Sequence, residues 1–143
     1  MENKGWNYLE EQFNVSRDEL SCYRFEERAG SLWLVSEKLE TELETQTKGI
    51  RALRDRDQGL KPTTYFLQLL GDKIKRNMVK VDRDEALKLL RREEMIERDL
   101  GQEGYVALRY EGRVLGCGFY KNGKVSSRIP KARSQELEQV LSS

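Results

Sequence analysis

The sequence predicts an α+β protein built from short antiparallel strands and short capped helices. Three observations carry that expectation. Asn122-Gly123 stands between two apolar-patterned runs, and this pair is a strong hairpin signal because its two-residue turn needs positive φ at both positions. Ser16 with Glu19, and Asp82 with Glu85, have the spacing of capping boxes, which open helices. The 143 residues are 37% hydrophobic and 36% charged, which is polar for a globular chain, yet the apolar positions are patterned and a disordered chain is not expected. The length suits one domain or two small lobes sharing a core.

Taken in order, residues 5–13 place Trp6, Leu9 and Phe13 at helical spacing, and the Ser16–Glu19 pair starts a second short turn before Leu20. Tyr23 to Glu27 and Ser31 to Ser36 flank Arg28-Ala29-Gly30 and read as a hairpin, with Leu32 to Val35 as a buried strand. Ser36 caps a helix from about Glu37 to Thr45, with Leu39 and Leu43 four residues apart. Gly49 to Arg54 reads as a strand. The polar, turn-like DRDQG after it is the first candidate boundary.

In KPTTYFLQLLG, residues 61–71, Pro62 suits the first turn of a helix and Gly71 the position just past its end. Phe66, Leu67 and Leu70 supply the apolar face between them. Asn77 to Val81 alternates as a strand, and Asp82 then opens a helix to about Arg92 with Ala86, Leu87, Leu89 and Leu90 inward. Met95-Ile96 starts another short strand. The stretch 104–133 follows as a meander of three strands, turning at Glu111-Gly112 and Asn122-Gly123 and stopped by Pro130. A helix from Ser134 to Leu141 closes the chain, with Leu137, Val140 and Leu141 inward.

Charge is the first functional signal. The net charge is only +1, but residues 1–47 hold five basic and eleven acidic side chains, and residues 104–133 hold seven basic and one acidic. The molecule is therefore dipolar. A basic antiparallel meander with exposed tyrosines is a plausible RNA surface; a solvated sheet with a basic edge is the plainer reading. The acidic segment suits a protein partner, or consists of solvated helices. The N-terminus of the helix after Pro62, beside Lys61, Thr63 and Thr64, can hold a phosphate, or is a plain capped core helix. Trp6, Trp33 and Phe25 serve either as a base-stacking platform or, given their acidic surroundings, as core.

Other classes find less support. The chain has no histidine, the usual general base and the commonest metal ligand. Cys22 and Cys117 stand apart, too few for a zinc site, and both read as small buried hydrophobes. Gly116-Cys117-Gly118 lacks the third glycine and following helix of a dinucleotide loop, so its glycines are expected to let strands approach closely. No metal and no cofactor are expected. Catalysis by paired carboxylates is the remaining enzymatic reading. No apolar leader or long apolar run stands out, so a reducing cytoplasmic compartment and no membrane partner are expected.

The residues also carry a resemblance. Tyr23-Arg24-Phe25, Leu32 to Lys38, Lys61-Pro62-Thr63, Leu70-Gly71, Asn77, Gly104-Tyr105-Val106, Leu115 to Gly118 and Ile129-Pro130-Lys131 occur in an order and spacing similar to a known group. The chain resembles the PUA-like RNA-binding region (pseudouridine synthase and archaeosine transglycosylase) attached to Sun-type ribosomal RNA cytosine-C5 methyltransferases. It is also similar to two-domain ribosome-biogenesis factors built from a pre-PUA and a PUA domain. The resemblance implies a PUA-like mixed β pseudo-barrel with flanking helices, preceded by a small α+β N-terminal lobe. The expected division is 1–71 for that lobe and 72–143 for the RNA-binding domain.

Methylation is not carried over. Sun-type enzymes need a large S-adenosylmethionine domain, and catalytic cysteines in Pro-Cys and Thr-Cys contexts. Here Cys22 follows Ser21 and Cys117 follows Gly116, and 143 residues leave no room for that domain. A free-standing protein and a segment of a larger methyltransferase both fit.

The expectation is therefore a non-catalytic protein that binds structured ribosomal or transfer RNA in RNA modification or ribosome biogenesis. Lys61, Lys73, Lys75, Arg76, Arg128 and Lys131 would neutralise phosphates, with Thr63 and Arg109 beside them. Asn77, Tyr110 and Tyr120 would contact or stack on bases. Charge reversal of Lys75 and Arg76 is expected to weaken RNA binding without moving Tm. The alternative is an adaptor whose acidic lobe docks an RNA methyltransferase or a ribosome-assembly factor.

Overall fold

The computed structural model describes residues 2–36, 49–56 and 59–142. The chain opens with helix α1 (Glu2–Tyr8), a π turn over Leu9–Phe13 and a 3-10 turn over Arg17–Leu20. Strands β1 (Tyr23–Arg28), β2 (Ser31–Ser36), β3 (Gly49–Arg56) and β4 (Gly59–Pro62) then form an antiparallel sheet in sequence order. Helix α2 (Thr64–Leu70) leads through a 3-10 turn, Gly71–Lys73, to β5 (Met78–Lys80). Helix α3 (Arg83–Arg91) and β6 (Ile96–Glu97) precede the meander β7 (Gly104–Tyr110), β8 (Arg113–Lys121) and β9 (Lys124–Ser127), and α4 (Lys131–Ser142) ends the described chain.

The second sheet has the order β5-β7-β8-β9-β6. It is mixed, because β5 runs parallel to β7 while the other pairs are antiparallel. One of the two sheets curls into a half-barrel, and the architecture is the α+β, PUA-like pseudo-barrel with flanking helices that the resemblance implied. Among the described residues no helix is long and apolar enough to cross a membrane.

Two clusters of buried side chains hold the sheets together, and β7 lies between them. Ala107 and Cys117 join the first cluster with Trp6, Phe13, Phe25 and Phe66, whereas Val106, Leu108 and Leu115 join the second with Val79, Leu89 and Ile129. Successive side chains of a strand point to opposite faces, so a strand packed on both sides reads as a nearly continuous buried run. Glycine makes this packing possible: a Cβ on Gly116 would lie 2.7 Å from Ile129 Cγ1 and 2.7 Å from Thr64 Oγ1. The close strand approach expected of these glycines is present at Gly118, where a Cβ would lie 3.0 Å from Ser126 O on β9, whereas Gly116 makes room for α2 and Ile129.

Local rules account for most boundaries. Asn122 and Gly123 take φ of 53° and 79°, the turn their sequence called for. Asp82 accepts from the Glu85 N–H at 2.8 Å and Glu85 accepts from the Asp82 N–H at 3.1 Å, closing the capping box of α3.

Four expectations need correction. Pro62 ends edge strand β4 and does not begin a helix, because an edge position tolerates its missing N–H and the pairing runs on through Thr63 N–H to Ala52 O at 2.9 Å. Thr63 is instead the cap of α2, accepting from Phe66 N–H at 3.2 Å. The segment DRDQG is no boundary: β3 continues through Arg56, and the chain re-enters the same sheet at Gly59. The last strand stops at Ser127 and α4 already begins at Lys131; Val140 on it is 72% exposed, while Leu137 and Leu141 pack against the second cluster. Cys22 is exposed, and only Cys117 is a buried hydrophobe. The helix expected over 37–45 lies outside the described residues.

Candidate nucleic-acid interface

Strand register builds the site. On β3 and β4, Arg54 stands directly opposite Lys61. Like charges at directly opposed positions destabilise a sheet, so sequence and stability pull apart at this point. A second irregularity adds a third cation. The β2–β3 register shifts between Leu32 and Trp33, pairing Leu32 with Leu53 but Trp33 with Arg51. The extra residue, Ala52, is buried along with Leu53. Residues three apart on a regular strand face opposite ways, whereas an inserted residue brings Arg51 and Arg54 to one side.

That side is a cleft of about 670 Å³. Arg51, Arg54, Lys61, Arg92 and Arg128 line it, together with Trp33, Ile50, Tyr65, Ile129 and Pro130, and among the described residues no carboxylate lines it. Trp33 is half-buried, and the guanidinium carbons of Arg28 and Arg51 lie 5.0 and 5.8 Å from its ring centroid. Tyr65 is 53% exposed. Arg92 follows α3 in the left-handed conformation with φ 60°, and its guanidinium donates to the Ile129 carbonyl. Arg128 lies 5.3 Å over the Phe119 ring.

The cations feel one another. Burial holds the Lys61 ammonium below its ordinary pKa, and Arg56, Arg54 and Arg128 press it further in that direction. Arg54 is lowered by burial and then by Arg51 and Arg56. Clustered positive charge in a concavity with apolar walls attracts anions, and phosphate oxygens are the ligands that guanidinium forks match best.

Of the residues expected from the sequence to contact RNA, the fold brings Lys61, Thr63 and Arg128 into this cleft; Lys131, exposed at the start of α4, follows the lining residue Pro130 in sequence. The others do not line it. Lys75 donates to Glu19 and to the Asn14 carbonyl, Arg76 to the Glu11 carbonyl at 2.6 Å, and Asn77 to the Gln12 carbonyl at 2.6 Å. These three side chains tie the segment just before β5 to the N-terminal turns. Arg109 pairs with Asp72 at 3.1 Å, and Lys73 is exposed on the 3-10 turn before β5. Tyr120 is only 7% exposed and Tyr110 is half-buried against the second cluster, so the meander does not present them as open stacking faces.

The hydroxyls at the start of α2 are also committed. Thr63 donates to Arg51 O at 2.6 Å, and Thr64 accepts from the Cys117 N–H at 3.1 Å. Trp6 and Phe25 are core, with rings 4.6 Å apart, which leaves Trp33 alone of the expected aromatic trio facing the cleft. Sequence reasoning missed Arg51, Arg54, Arg92 and Tyr65. The basic spacing in GIRALRDR was the available signal, although it needed the bulge to become a shared face.

Residues 76–134 match the family model described as the methyltransferase RsmF PUA domain. This segment is similar to that PUA domain. It runs from just before β5 into α4, and it contributes Arg92 and Arg128 to the cleft while Arg51, Arg54 and Lys61 come from the preceding sheet. A PUA domain is a non-catalytic RNA-binding unit, and the matched model describes the one attached to a methyltransferase. No curated protein matches the chain.

Proposed function

We propose that the protein is a non-catalytic RNA-binding module that recognises structured ribosomal or transfer RNA, acting in the cytoplasm beside an RNA methyltransferase or a ribosome-assembly factor. The observation that carries this reading is the direct opposition of Arg54 and Lys61 in a cleft lined, among the described residues, by no carboxylate, with Arg51, Arg92 and Arg128 around them. Such an arrangement costs stability in the free protein and is relieved by a polyanion. The PUA-like segment supports the choice of RNA as that polyanion. Phosphates neutralised by these side chains give affinity and register. The cleft draws on both parts of the chain, so residues 1–71 act with 72–143 in holding the RNA.

The adaptor reading gains no support from Glu19 and Glu26 of the acidic lobe, which are engaged with Lys75, Arg24 and Arg28. Fluorescence anisotropy with a labelled structured RNA and a matched DNA duplex tests the proposal. Micromolar or tighter binding, a preference for RNA, and a loss of at least tenfold in Lys61→Glu with Arg128→Glu are expected. Equal binding by a folded double variant would remove the cleft from the interface.

A further inference from the structure

Strand β1 is an edge of the first sheet, and among the described residues it pairs with β2 alone. The pairing runs from Tyr23↔Ser36 to Arg28↔Ser31 with no register shift, and β1 holds no proline. Ala29 and Gly30 take φ of 47° and 80°, so Arg28 and Ser31 close a two-residue turn of the primed type. Such a closing pair exchanges both of its backbone bonds, and bonded pairs alternate along an antiparallel ladder. Arg24, Glu26 and Arg28 therefore bond to β2, while the N–H and C=O groups of Tyr23, Phe25 and Glu27 point away from it. Among the described residues nothing hydrogen-bonds to these outward groups.

An open edge is a template for another strand, and natural sheets block it with proline, bulges or charge. The charges of β1 are in a self-complementary order. Its outward groups belong to alternate residues, so a second copy of β1 running antiparallel can pair only in steps of two. With Phe25 opposite Phe25 of the second copy, Tyr23 faces Glu27 and Arg24 faces Glu26, each twice about the twofold axis. One step either way sets Arg24 opposite Arg24, or Glu26 opposite Glu26 with Arg24 opposite Arg28, and like charges so opposed destabilise a sheet. In the favoured register Arg24 and Glu26 fall at non-hydrogen-bonded positions, where opposed side chains come closest. Both side chains are partly exposed, and they already bond to each other at 3.3 Å within one strand. At Gly5, helix α1 rides over both β1 and β2, since a Cβ there would lie 2.8 Å from Phe25 and 3.1 Å from Leu32.

We infer that β1 pairs with β1 of a second copy of this chain, antiparallel about Phe25, and joins the two four-stranded sheets into one. The contact uses the same patch on both copies, so it closes at a dimer. Directly opposed residues share a face, which puts Glu26 on the face of Trp33. The clefts of the two copies, each lined by Trp33, then open on the same side of the joined sheet. The pairing is independent of what the cleft binds.

Sedimentation equilibrium on the native chain and on two variants, Arg24→Glu and Glu26→Arg, tests it. The native chain is expected to form a dimer that dissociates on dilution. Each variant alone sets like charges opposite each other and is expected to dimerise about tenfold more weakly. An equimolar mixture of the two restores opposite charges across the axis and is expected to form a heterodimer. Amide exchange in the native chain is a second readout that needs no substitution: the amides of Tyr23, Phe25 and Glu27 are expected to slow as concentration rises. A native chain that stays monomeric at submillimolar concentration overturns the self-pairing and leaves the edge to an extended segment of another protein. A dimer that both folded variants leave intact, a mixture that stays monomeric, or a dimer in which those three amides exchange as in the monomer also overturns it.

Discussion

Arg54 on β3 and Lys61 on β4 face each other across the outer ladder of the first sheet, and no carboxylate among the described residues pairs with either. The opposition predicts a trade between stability and binding. Lys61→Glu places an opposite charge across from Arg54 and is expected to raise stability by about 0.2–1 kcal/mol. The same change is expected to weaken RNA binding. Denaturant unfolding beside anisotropy checks both signs, and a less stable variant would show that the two cations do not repel in the folded protein.

The hydrogen bond from the Cys117 N–H to Thr64 Oγ1 joins the helix beside the cleft to the centre of the second sheet. Thr64→Val keeps the shape and removes the acceptor, leaving a buried N–H without a partner. A loss of about 1–3 kcal/mol is expected in chemical denaturation, with Thr64→Ser closer to the native value. Gly116→Ala is expected to cost a similar 1–3 kcal/mol, roughly, by overpacking against Ile129 and Thr64.

Lys75 and Arg76 now carry a different prediction from the one their sequence suggests. Both bind back to the N-terminal turns, through Glu19 and the Asn14 and Glu11 carbonyls. Reversing both charges places a glutamate against Glu19, and Tm is expected to fall. Thermal unfolding by circular dichroism decides, and an unchanged Tm would return these residues to the list of free surface cations.

Acid should destabilise the fold through the same kind of pair. The Arg98 hydrogen bond holds the Glu85 carboxyl below its usual range, and the Lys75 hydrogen bond does the same for Glu19. A carboxylate depressed in the folded state contributes stability above its unfolded pKa and loses it as pH falls through the folded one. Stability is therefore expected to decline from the ordinary carboxylate range downward, and less steeply in Glu85→Gln. A parallel decline in wild type and variant would contradict the assignment to this pair.

The two thiols should also separate. Cys117 is 1% exposed and burial pushes its thiol up to about 12, whereas Cys22 is exposed. One fast-reacting thiol is expected in the native protein with a chromogenic disulfide reagent, and two after denaturation.

The legible parts of this fold are those governed by neighbours in sequence. Asn122-Gly123 needs positive φ wherever it occurs, and Asp82 with Glu85 satisfies orphan amides by itself. The helix at Thr64 was legible in kind but not in its first residue, because pairing of β4 with β3 is a contact across the chain that outweighs the local preference of Pro62 for a first helical turn. The cleft was the least legible part. Arg51 and Arg54 share a face only through a bulge, Lys61 meets Arg54 only through strand register, and Arg92 and Arg128 arrive from the other sheet's side of the molecule. The basic count of residues 104–133 pointed to the meander, yet of its cations only Arg128 lines the cleft, and Arg109 is neutralised by Asp72.

The salt dependence of RNA binding tests the central claim most directly. Each phosphate neutralised on a single strand contributes about 0.7 to the slope of log K against log salt. For Arg54→Ala with Lys61→Ala and Arg128→Ala, the predicted result is weaker binding at low salt and a slope shallower than that of the native protein by about 2. A folded triple variant with the native affinity and the native slope would contradict the account.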